Sequence, residues 1–176
     1  MRWISHIAIA GSICAVFNPI AVPAAVLGST APDWIEMLRR VFERNKKVKH
    51  RAGTHYLAAW IGLAVAARLL WDFQGMLFWF ALGGAVHWVC DALTVTGAPV
   101  GWWSDRRVTL FGGKVKTGGT AEYVITGLVV LTCAVLIWAR STTPGGFIPF
   151  FYHWGQHYED GLIDGTEWKA NRFNFI

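Results

Sequence analysis

The segment Gly83-Gly84-Ala85-Val86-His87-Trp88-Val89-Cys90-Asp91-Ala92-Leu93-Thr94 lies inside an apolar run from Met76 to about Val95. This run contains one histidine and one carboxylate, His87 and Asp91, four positions apart. On an α-helix that spacing puts both side chains on one face, one turn apart. Burying them without compensation costs on the order of several kcal/mol. The pattern therefore predicts a helix whose polar pair either binds one or two metal ions or forms a hydrogen bond that fixes helix packing.

The composition is typical of a membrane protein. The chain has 176 residues, of which 54% are hydrophobic, and its mean hydropathy is +0.37. Eleven Trp and eleven Phe suit the aromatic belts at membrane interfaces. The three cysteines lie in apolar segments without a CxxC pair, so we expect small core residues rather than disulfides. A polytopic membrane protein is the first interpretation, and a very apolar soluble domain is the alternative.

The order of the apolar segments predicts an all-α fold, a polytopic membrane helical bundle. Asn18-Pro19 interrupts the first segment and indicates an N-terminal broken helical hairpin with arms at 3–17 and 20–27. Without that break, residues 4–27 would form one span. We expect a turn at 28–33 and a short interfacial helix at 34–42. Three longer apolar helices are expected at 56–71, 76–95 and 122–138, with a β-like piece at 108–111 inside a glycine-rich loop.

The basic residues indicate an orientation. Net charge is +5, and the positive residues crowd two loops, 39–51 and 106–116. Two helices separate these loops, so both lie on one side of the membrane, which the positive-inside rule assigns to the cytoplasm. Apolar segments flank them, so anionic lipid is the expected partner and nucleic acid is not. We expect a membrane-embedded domain at 1–139 and an aromatic, acidic tail at 140–176.

Polar residues gather at one end of the predicted apolar segments, namely His6, Asp33, His50, His55, His87, Asp91 and Glu122. Nitrogen and oxygen donors without a thiolate suit Zn first, with Mn or Fe as alternatives, and carboxylate bridging suits two ions. Such ions bind phosphoryl oxygens and lower the pKa of a bound water. Each residue alone has a structural interpretation; Glu122, for example, suits a helix N-terminus. Those interpretations do not explain why all seven lie at one end.

Three motifs resemble a known family. His50-Arg51-Ala52-Gly53-Thr54-His55 is similar to a His-Arg-Gly-x-Thr-His motif, and Ala31-Pro32-Asp33 to a Pro-Asp-x-Asp motif. His87-x-x-x-Asp91-x-x-Thr94-x-x-Gly97 is similar to a third, His-x-x-x-Asp-x-x-Thr-x-x-Gly. In this order they resemble the bacterial membrane-bound predicted metal-dependent hydrolases, some of which are LexA-regulated inner-membrane proteins. The resemblance covers roughly residues 4–139 and extends distantly to zinc-dependent phospholipase C and P1 nuclease, which are all-helical phosphodiesterases.

The resemblance implies a set of metal ligands, namely His6, Asp33, His55, His87 and Asp91, with Glu122 as a further candidate. It also implies that His50 and Arg51 support these ligands or contact phosphate. Two positions depart from the family pattern. Ile35 stands where a second Asp is usual, and Glu36 could replace that Asp only with a change of register. Gly118 stands where the wider superfamily has a histidine, so one or two ions are expected rather than three.

Three functional classes follow from these features. The first is a multi-pass inner-membrane hydrolase that cleaves a phosphoester, such as a phospholipid, at a site facing the cytoplasm. Asp33 or Glu122 would accept the proton, and the oxygens of the phosphate would bind an arginine, namely Arg51, Arg106 or Arg107. The second is a non-catalytic membrane component in which the polar cluster staples helices and the tail 140–176 docks a protein partner. The third, an ion path, fits less well because the polar residues do not line a crossing.

Overall fold

The computed structural model describes residues 1–42, 53–70, 72–101, 104–140, 159–161 and 164–166. Within these residues the helices are α1 (Trp3–Phe17), α2 (Val22–Phe42), α3 (Leu57–Leu69), α4 (Met76–Ala92) and α5 (Thr120–Arg140). Strands β1 (Ala98–Gly101) and β2 (Ser104–Val108) form an antiparallel pair between α4 and α5. Helix α4 is central, because it packs against α1, α2 and α3, whereas α5 packs mainly on α1.

The N-terminal hairpin forms at the Asn-Pro break, as predicted. Helix α1 ends at Phe17, and a single 3₁₀ turn at Pro19–Ala21 leads into α2, which packs back against α1. The Asn18 side chain donates a hydrogen bond of 2.7 Å to the carbonyl of Gln74. That bond ties the hairpin turn to the connection between α3 and α4.

Helix α2 is longer than the sequence suggests. The expected turn at 28–33 is wrong, because one continuous helix runs from Val22 to Phe42 with Pro32 inside it. The small residues that indicated a turn instead allow α2 to touch α4. A Cβ built on Gly28 would lie 1.9 Å from the carbonyl oxygen of Phe80, and one on Gly83 would lie 2.2 Å from that of Ala25. Small residues at a crossing allow two helix backbones to approach this closely.

Two of the three expected longer helices have the length and composition of membrane spans, namely Phe73–Ala92 and Thr120–Ala139. The third expected helix, at 56–71, is present as the apolar helix α3, but α3 has only 13 residues. At 1.5 Å per residue it is roughly 20 Å long, against a hydrocarbon core of about 30 Å.

The expectation of an all-α fold also needs correction, because the chain between α4 and α5 contains a small sheet. Ala98 pairs with Val108 and Pro99 with Arg107. The Trp88 indole N–H donates to the Pro99 carbonyl at 2.6 Å and attaches the sheet to α4. Of the β-like piece expected at 108–111, only Val108 belongs to a strand, and a 3₁₀ turn follows at Leu110–Gly112.

The connections at one end of the bundle bring distant parts of the chain together. The 3₁₀ turn Gly53–His55 contacts α2 and β1, and β1 also contacts α3 and α4. The start of α1 lies at the same end, where the Trp3 indole N–H donates a hydrogen bond to the Asp33 carboxylate of α2. Residues 43–52 and nearly all of the predicted tail, 140–176, lie outside the described residues.

Candidate metal centre

All five predicted metal ligands come together at this end of the bundle. His6 lies in the first turn of α1, Asp33 in α2, His55 in the 3₁₀ turn before α3, and His87 and Asp91 on α4. They form two overlapping groups, one of His6, His87 and Asp91, and one of Asp33, His55 and His87. Within each group the candidate ligand atoms lie within 4.8 Å of one another. His87 is common to both groups.

The separations between ligand atoms fit a coordination shell. In the first group His87 Nε2 lies 3.5 Å from Asp91 Oδ2, and His6 Nε2 lies 3.7 Å from Asp91 Oδ1. In the second group Asp33 Oδ1 lies 3.3 Å from His55 Nε2 and 3.9 Å from His87 Nε2. Bonds of about 2.0–2.2 Å to Zn put tetrahedral ligands roughly 3.3–3.5 Å apart. Both groups are therefore close to the spacing that a metal ion requires.

His87 has the arrangement of a metal-binding imidazole. Its ring is buried, and Nδ1 lies 2.7 Å from the carbonyl oxygen of Ser29, to which only an N–H can donate. With the proton on Nδ1, the lone pair is on Nε2, and that atom has no hydrogen-bond partner in the described part of the chain. Metal-ligating histidines commonly bond a backbone carbonyl through their second nitrogen. A buried nitrogen without a partner otherwise costs about 1–3 kcal/mol.

The His6 ring stacks on that of His87, with the centroids 4.1 Å apart and the planes 14° from parallel. Burial, and then the neighbouring His87 ring, lower the pKa of His6 to about 3. The imidazole is therefore neutral near pH 7, which is the state that binds a metal. Its Nδ1 is also buried without a hydrogen-bond partner among the described residues.

The two carboxylates have different surroundings. Asp91 is buried, and its Oδ1 accepts a hydrogen bond of 2.8 Å from the amino group of Met1. Asp33 is 23% exposed, and its Oδ2 accepts a bond of 2.6 Å from the Trp3 indole N–H. Partial burial alone would raise the pKa of Asp33, but the His55 hydrogen bond and the nearby His87 ring hold that pKa below its ordinary value. Asp33 is therefore ionised at neutral pH.

Glu36, which could replace the missing Asp only with a change of register, lies beside the candidate ligand His55. It is buried, and its Oε2 lies 3.7 Å from His55 Nδ1, while Oε1 accepts a hydrogen bond from Arg40. Thr54 Oγ1 lies 3.0 Å from the same His55 nitrogen. Because α2 is continuous, positions 33 and 36 lie on one helix face. That geometry brings Glu36 next to His55, without any change of register in α2.

Glu122, the other predicted acid, lies outside both groups of candidate ligands. It is fully buried at the start of α5. Its Oε1 accepts bonds from the Arg2 backbone N–H at 2.7 Å and the Ser5 hydroxyl at 2.6 Å, and its Oε2 accepts one from the Gly118 N–H at 2.7 Å. These contacts join α5 to the start of α1.

The predicted phosphate-binding arginines are placed only in part. Arg106 and Arg107 are exposed on β2, at the end of the bundle that carries the candidate ligands. The adjacent Asp105 accepts a hydrogen bond from the hydroxyl of Tyr56, the residue that follows His55. His50 and Arg51 lie outside the described residues.

Comparison with known proteins supports the membrane assignment. A family model described as "YdjM inner membrane protein" matches residues 1–152, which is most of the 176-residue chain. The chain belongs to the YdjM inner membrane protein family. No curated protein and no solved structure matches the sequence.

Membership of the YdjM inner membrane protein family agrees with the presence of two helices that are long and apolar enough to span a membrane. An inner membrane protein has its apolar surfaces in lipid, and α5 exposes many large apolar side chains, among them Leu128, Leu131 and Val135. In water an apolar surface of this extent would favour aggregation. The match also extends past α5, which ends at Arg140, into the segment that the sequence suggested was a separate tail.

Proposed function

We propose that this member of the YdjM family is a metal-dependent hydrolase of a phosphoester, acting at the cytoplasmic face of the membrane. The observation that carries the proposal is the buried His87 Nε2, which has no hydrogen-bond partner in the described chain and lies between two carboxylates. A scaffold that used this histidine only for packing would leave that nitrogen unsatisfied at a cost of about 1–3 kcal/mol. A bound cation would satisfy it.

The residues fit one or two Zn ions, or Mn or Fe. His6, His87 and Asp91 would hold one ion, and Asp33, His55 and His87 the other. A bound ion of this kind lowers the pKa of water and stabilises charge on phosphoryl oxygens. The donor set contains no thiolate, because the three cysteines belong to neither group.

The chain's own residues have separate roles in this proposal. Asp33 is the partly exposed candidate ligand among the described residues, so a water molecule from outside the bundle can reach its carboxylate and would give its proton there. Trp3 fixes the orientation of that carboxylate, and Glu36 and Thr54 fix that of His55. Arg106 and Arg107, together with Arg51, would bind the non-bridging oxygens of the phosphoester. Glu122 holds α1 and α5 together.

Metal content tests the proposal. The full chain is purified in detergent without chelator, and its metal is counted by mass spectrometry. Because His87 belongs to both groups, His87→Ala should remove all bound metal. His6→Ala and His55→Ala should each remove only the ion that its own group holds. Asp72→Asn is the matched control, because Asp72 lies at the other end of α4, away from the candidate ligands. There its carboxylate accepts hydrogen bonds from the Leu77 and Phe78 amides.

Each result of this experiment has a definite meaning. One or two equivalents in the wild type, with the expected losses in the three histidine variants, would support the centre. Release of nitrophenol from bis(4-nitrophenyl) phosphate would then support the reaction class. A wild-type protein without metal, or equal metal in His87→Ala and Asp72→Asn, would overturn the proposal. That result would favour a non-catalytic component of a larger assembly.

A further inference from the structure

A cavity lies at the end of the bundle opposite the candidate metal centre. It forms where the turn between α1 and α2 meets the connection between α3 and α4, and its volume is about 410 Å³. Asn18 and Gln74, whose hydrogen bond joins these two connections, both line it. Gly75 also lines the cavity, and His87 lies twelve positions further along the chain, which is roughly 18 Å of helix. We call this cavity, which is separate from the candidate ligands, the turn pocket.

The turn pocket carries a positive charge that forms no ion pair within the described chain. Among the described residues that line the pocket, Arg68 near the end of α3 is the charged one, and none is Asp or Glu. The Arg68 guanidinium carbon lies 5.5 Å from the centroid of the Phe78 ring. Asp72, in the same connection, accepts hydrogen bonds from the Leu77 and Phe78 amides with its two oxygens. A ligand of the pocket should therefore be an anion.

Two neutral hydrogen-bond donors accompany Arg68 in the lining. The Trp79 indole N–H makes no hydrogen bond to a described residue, and its Nε1 would lie 3.9 Å from a Cβ on Gly75. The exposed Gln74 has a φ of 51°, in the left-handed region that favours glycine, so the chain keeps a side-chain amide where glycine would fit better. A guanidinium and two N–H donors suit the oxygens of a phosphate group.

The surroundings of the turn pocket are apolar. Phe17 stacks on Trp79 with the ring centroids 6.1 Å apart, and both residues line the pocket. Leu69 and Leu70, at the end of α3, are 79% and 78% exposed. The pocket lies where the candidate span Phe73–Ala92 begins. Aromatic and arginine side chains at the end of a span are typical of the membrane interface, where a ligand meets both water and acyl chains.

We infer that the turn pocket binds the phosphate group of an anionic membrane lipid. Arg68 bonds the non-bridging oxygens, and Gln74 and the Trp79 indole donate to the same group. The acyl chains lie along the exposed Leu69 and Leu70, a contact that a soluble phosphate would not make.

This lipid is a structural ligand and not a substrate, because the candidate metal centre lies at the other end of α4. It binds both connections at once and holds the α1–α2 hairpin against α3 and α4. The inference does not depend on the proposed hydrolase function. It concerns the membrane face opposite the two basic loops, for which the sequence predicts contact with anionic lipid.

Native mass spectrometry of the full chain in detergent tests the inference, because it separates protein with no lipid from protein with one or more. The measured quantity is the dissociation constant of the first bound lipid. Dioleoyl phosphatidylglycerol, which is anionic, is compared with dioleoyl phosphatidylcholine, which has the same chains and no net charge. The anionic lipid should bind about fivefold more tightly, which is the contribution of one basic side chain near an anionic headgroup. Millimolar inorganic phosphate should not displace it.

Three variants assign the binding to the turn pocket. Arg68→Gln should weaken binding of phosphatidylglycerol roughly tenfold, because hydrogen bonds between two charged groups are lost, and Arg68→Lys should restore part of that affinity. Trp79→Phe keeps an aromatic ring beside Phe17 and removes the N–H donor, so it should weaken binding about fivefold. The matched control is Lys114→Gln, which removes one exposed charge beside Val115 at the other end of the bundle. The control should bind the lipid as the wild type does.

Each contrary result is decisive. Equal affinity for the two lipids, or an unchanged dissociation constant in Arg68→Gln, would overturn the inference. So would an equal loss in Lys114→Gln, which would mean that any exposed positive charge attracts the lipid. Displacement by millimolar inorganic phosphate would identify a soluble anion as the ligand and would overturn the lipid. If Arg68→Gln does not fold in detergent, Trp79→Phe decides, and an unchanged constant there would reject the pocket. None of these results bears on the metal centre, so the proposed function stands or fails separately.

Discussion

Replacing Gly83 by alanine should weaken metal binding, although Gly83 provides no ligand atom. The new Cβ would lie 2.2 Å from the Ala25 carbonyl oxygen and 2.8 Å from the Ser29 amide nitrogen, whereas ordinary contact begins near 3.4 Å. Both obstacles are backbone atoms, so α2 must move away from α4 by about 1 Å. His87 lies one turn beyond Gly83, and its 2.7 Å bond to the Ser29 carbonyl crosses the same interface. A displacement of that size breaks the bond.

The magnitude follows from two contributions. Overpacking a helix interface costs about 1–3 kcal/mol, and the lost hydrogen bond costs about 1 kcal/mol. The free energy of unfolding should therefore fall by about 2–4 kcal/mol. Loss of the group that orients His87 should reduce metal affinity by roughly 10- to 100-fold. Denaturant unfolding in detergent measures the first effect, and zinc titration calorimetry measures the second.

Gly127→Ala on α5 is the matched control, because a Cβ there meets nothing within 4 Å. Removing a glycine from that helix should stabilise the protein by about 0.5–1 kcal/mol without affecting metal. The reasoning is refuted if Gly83→Ala unfolds within about 0.5 kcal/mol of the wild type and binds metal with unchanged affinity. That result would mean that α2 and α4 do not approach at Gly83 as closely as described.

Two further variants separate the roles of the acidic residues. Glu36→Gln should weaken metal binding by about tenfold in the group of Asp33, His55 and His87, because His55 loses a charged neighbour. Zinc titration of Glu36→Gln in a His6→Ala background checks this, and unchanged affinity would exclude the role. Glu122→Ala should lower the free energy of unfolding by about 2–4 kcal/mol, since it leaves the Arg2 and Gly118 amides and the Ser5 hydroxyl without their acceptor. The same variant should retain its metal, and loss of metal without loss of stability in Glu122→Gln would instead identify Glu122 as a ligand.

Much of the candidate centre is predictable because its signals are local. His87 and Asp91 are four positions apart, so they share a face as soon as α4 is a helix. The break at Asn18-Pro19 is predicted because proline interrupts a helix. The hairpin at that break brings Asp33 of α2 back to the level of the start of α1. The grouping of the five ligands at one end is therefore expected from the order of helices and turns.

The missed features depend on contacts between distant residues. Gly28 and Ser29 have the local propensities of a turn, and only their contact with α4 explains their presence inside a helix. Once α2 is continuous, Glu36 shares a face with Asp33, a relation hidden when residues 28–33 are taken as a turn. The strand at Ala98–Gly101 contains a proline and two small residues, so its strand propensity is weak. It forms because β2 pairs with it and Trp88 bonds its Pro99 carbonyl.

The distribution of the five candidate ligands along the chain has a consequence for biosynthesis. His6 and Asp33 belong to the first two helices, whereas His87 and Asp91 belong to the fourth. A ribosome delivers the N-terminal hairpin to the membrane well before α4 has been translated. Until then the hairpin carries an imidazole and a carboxylate whose partners do not yet exist, and their desolvation opposes deep insertion. The hairpin should therefore remain at the membrane surface until α4 has been translated. It should then insert together with α4, at the same time as the candidate ligands come together.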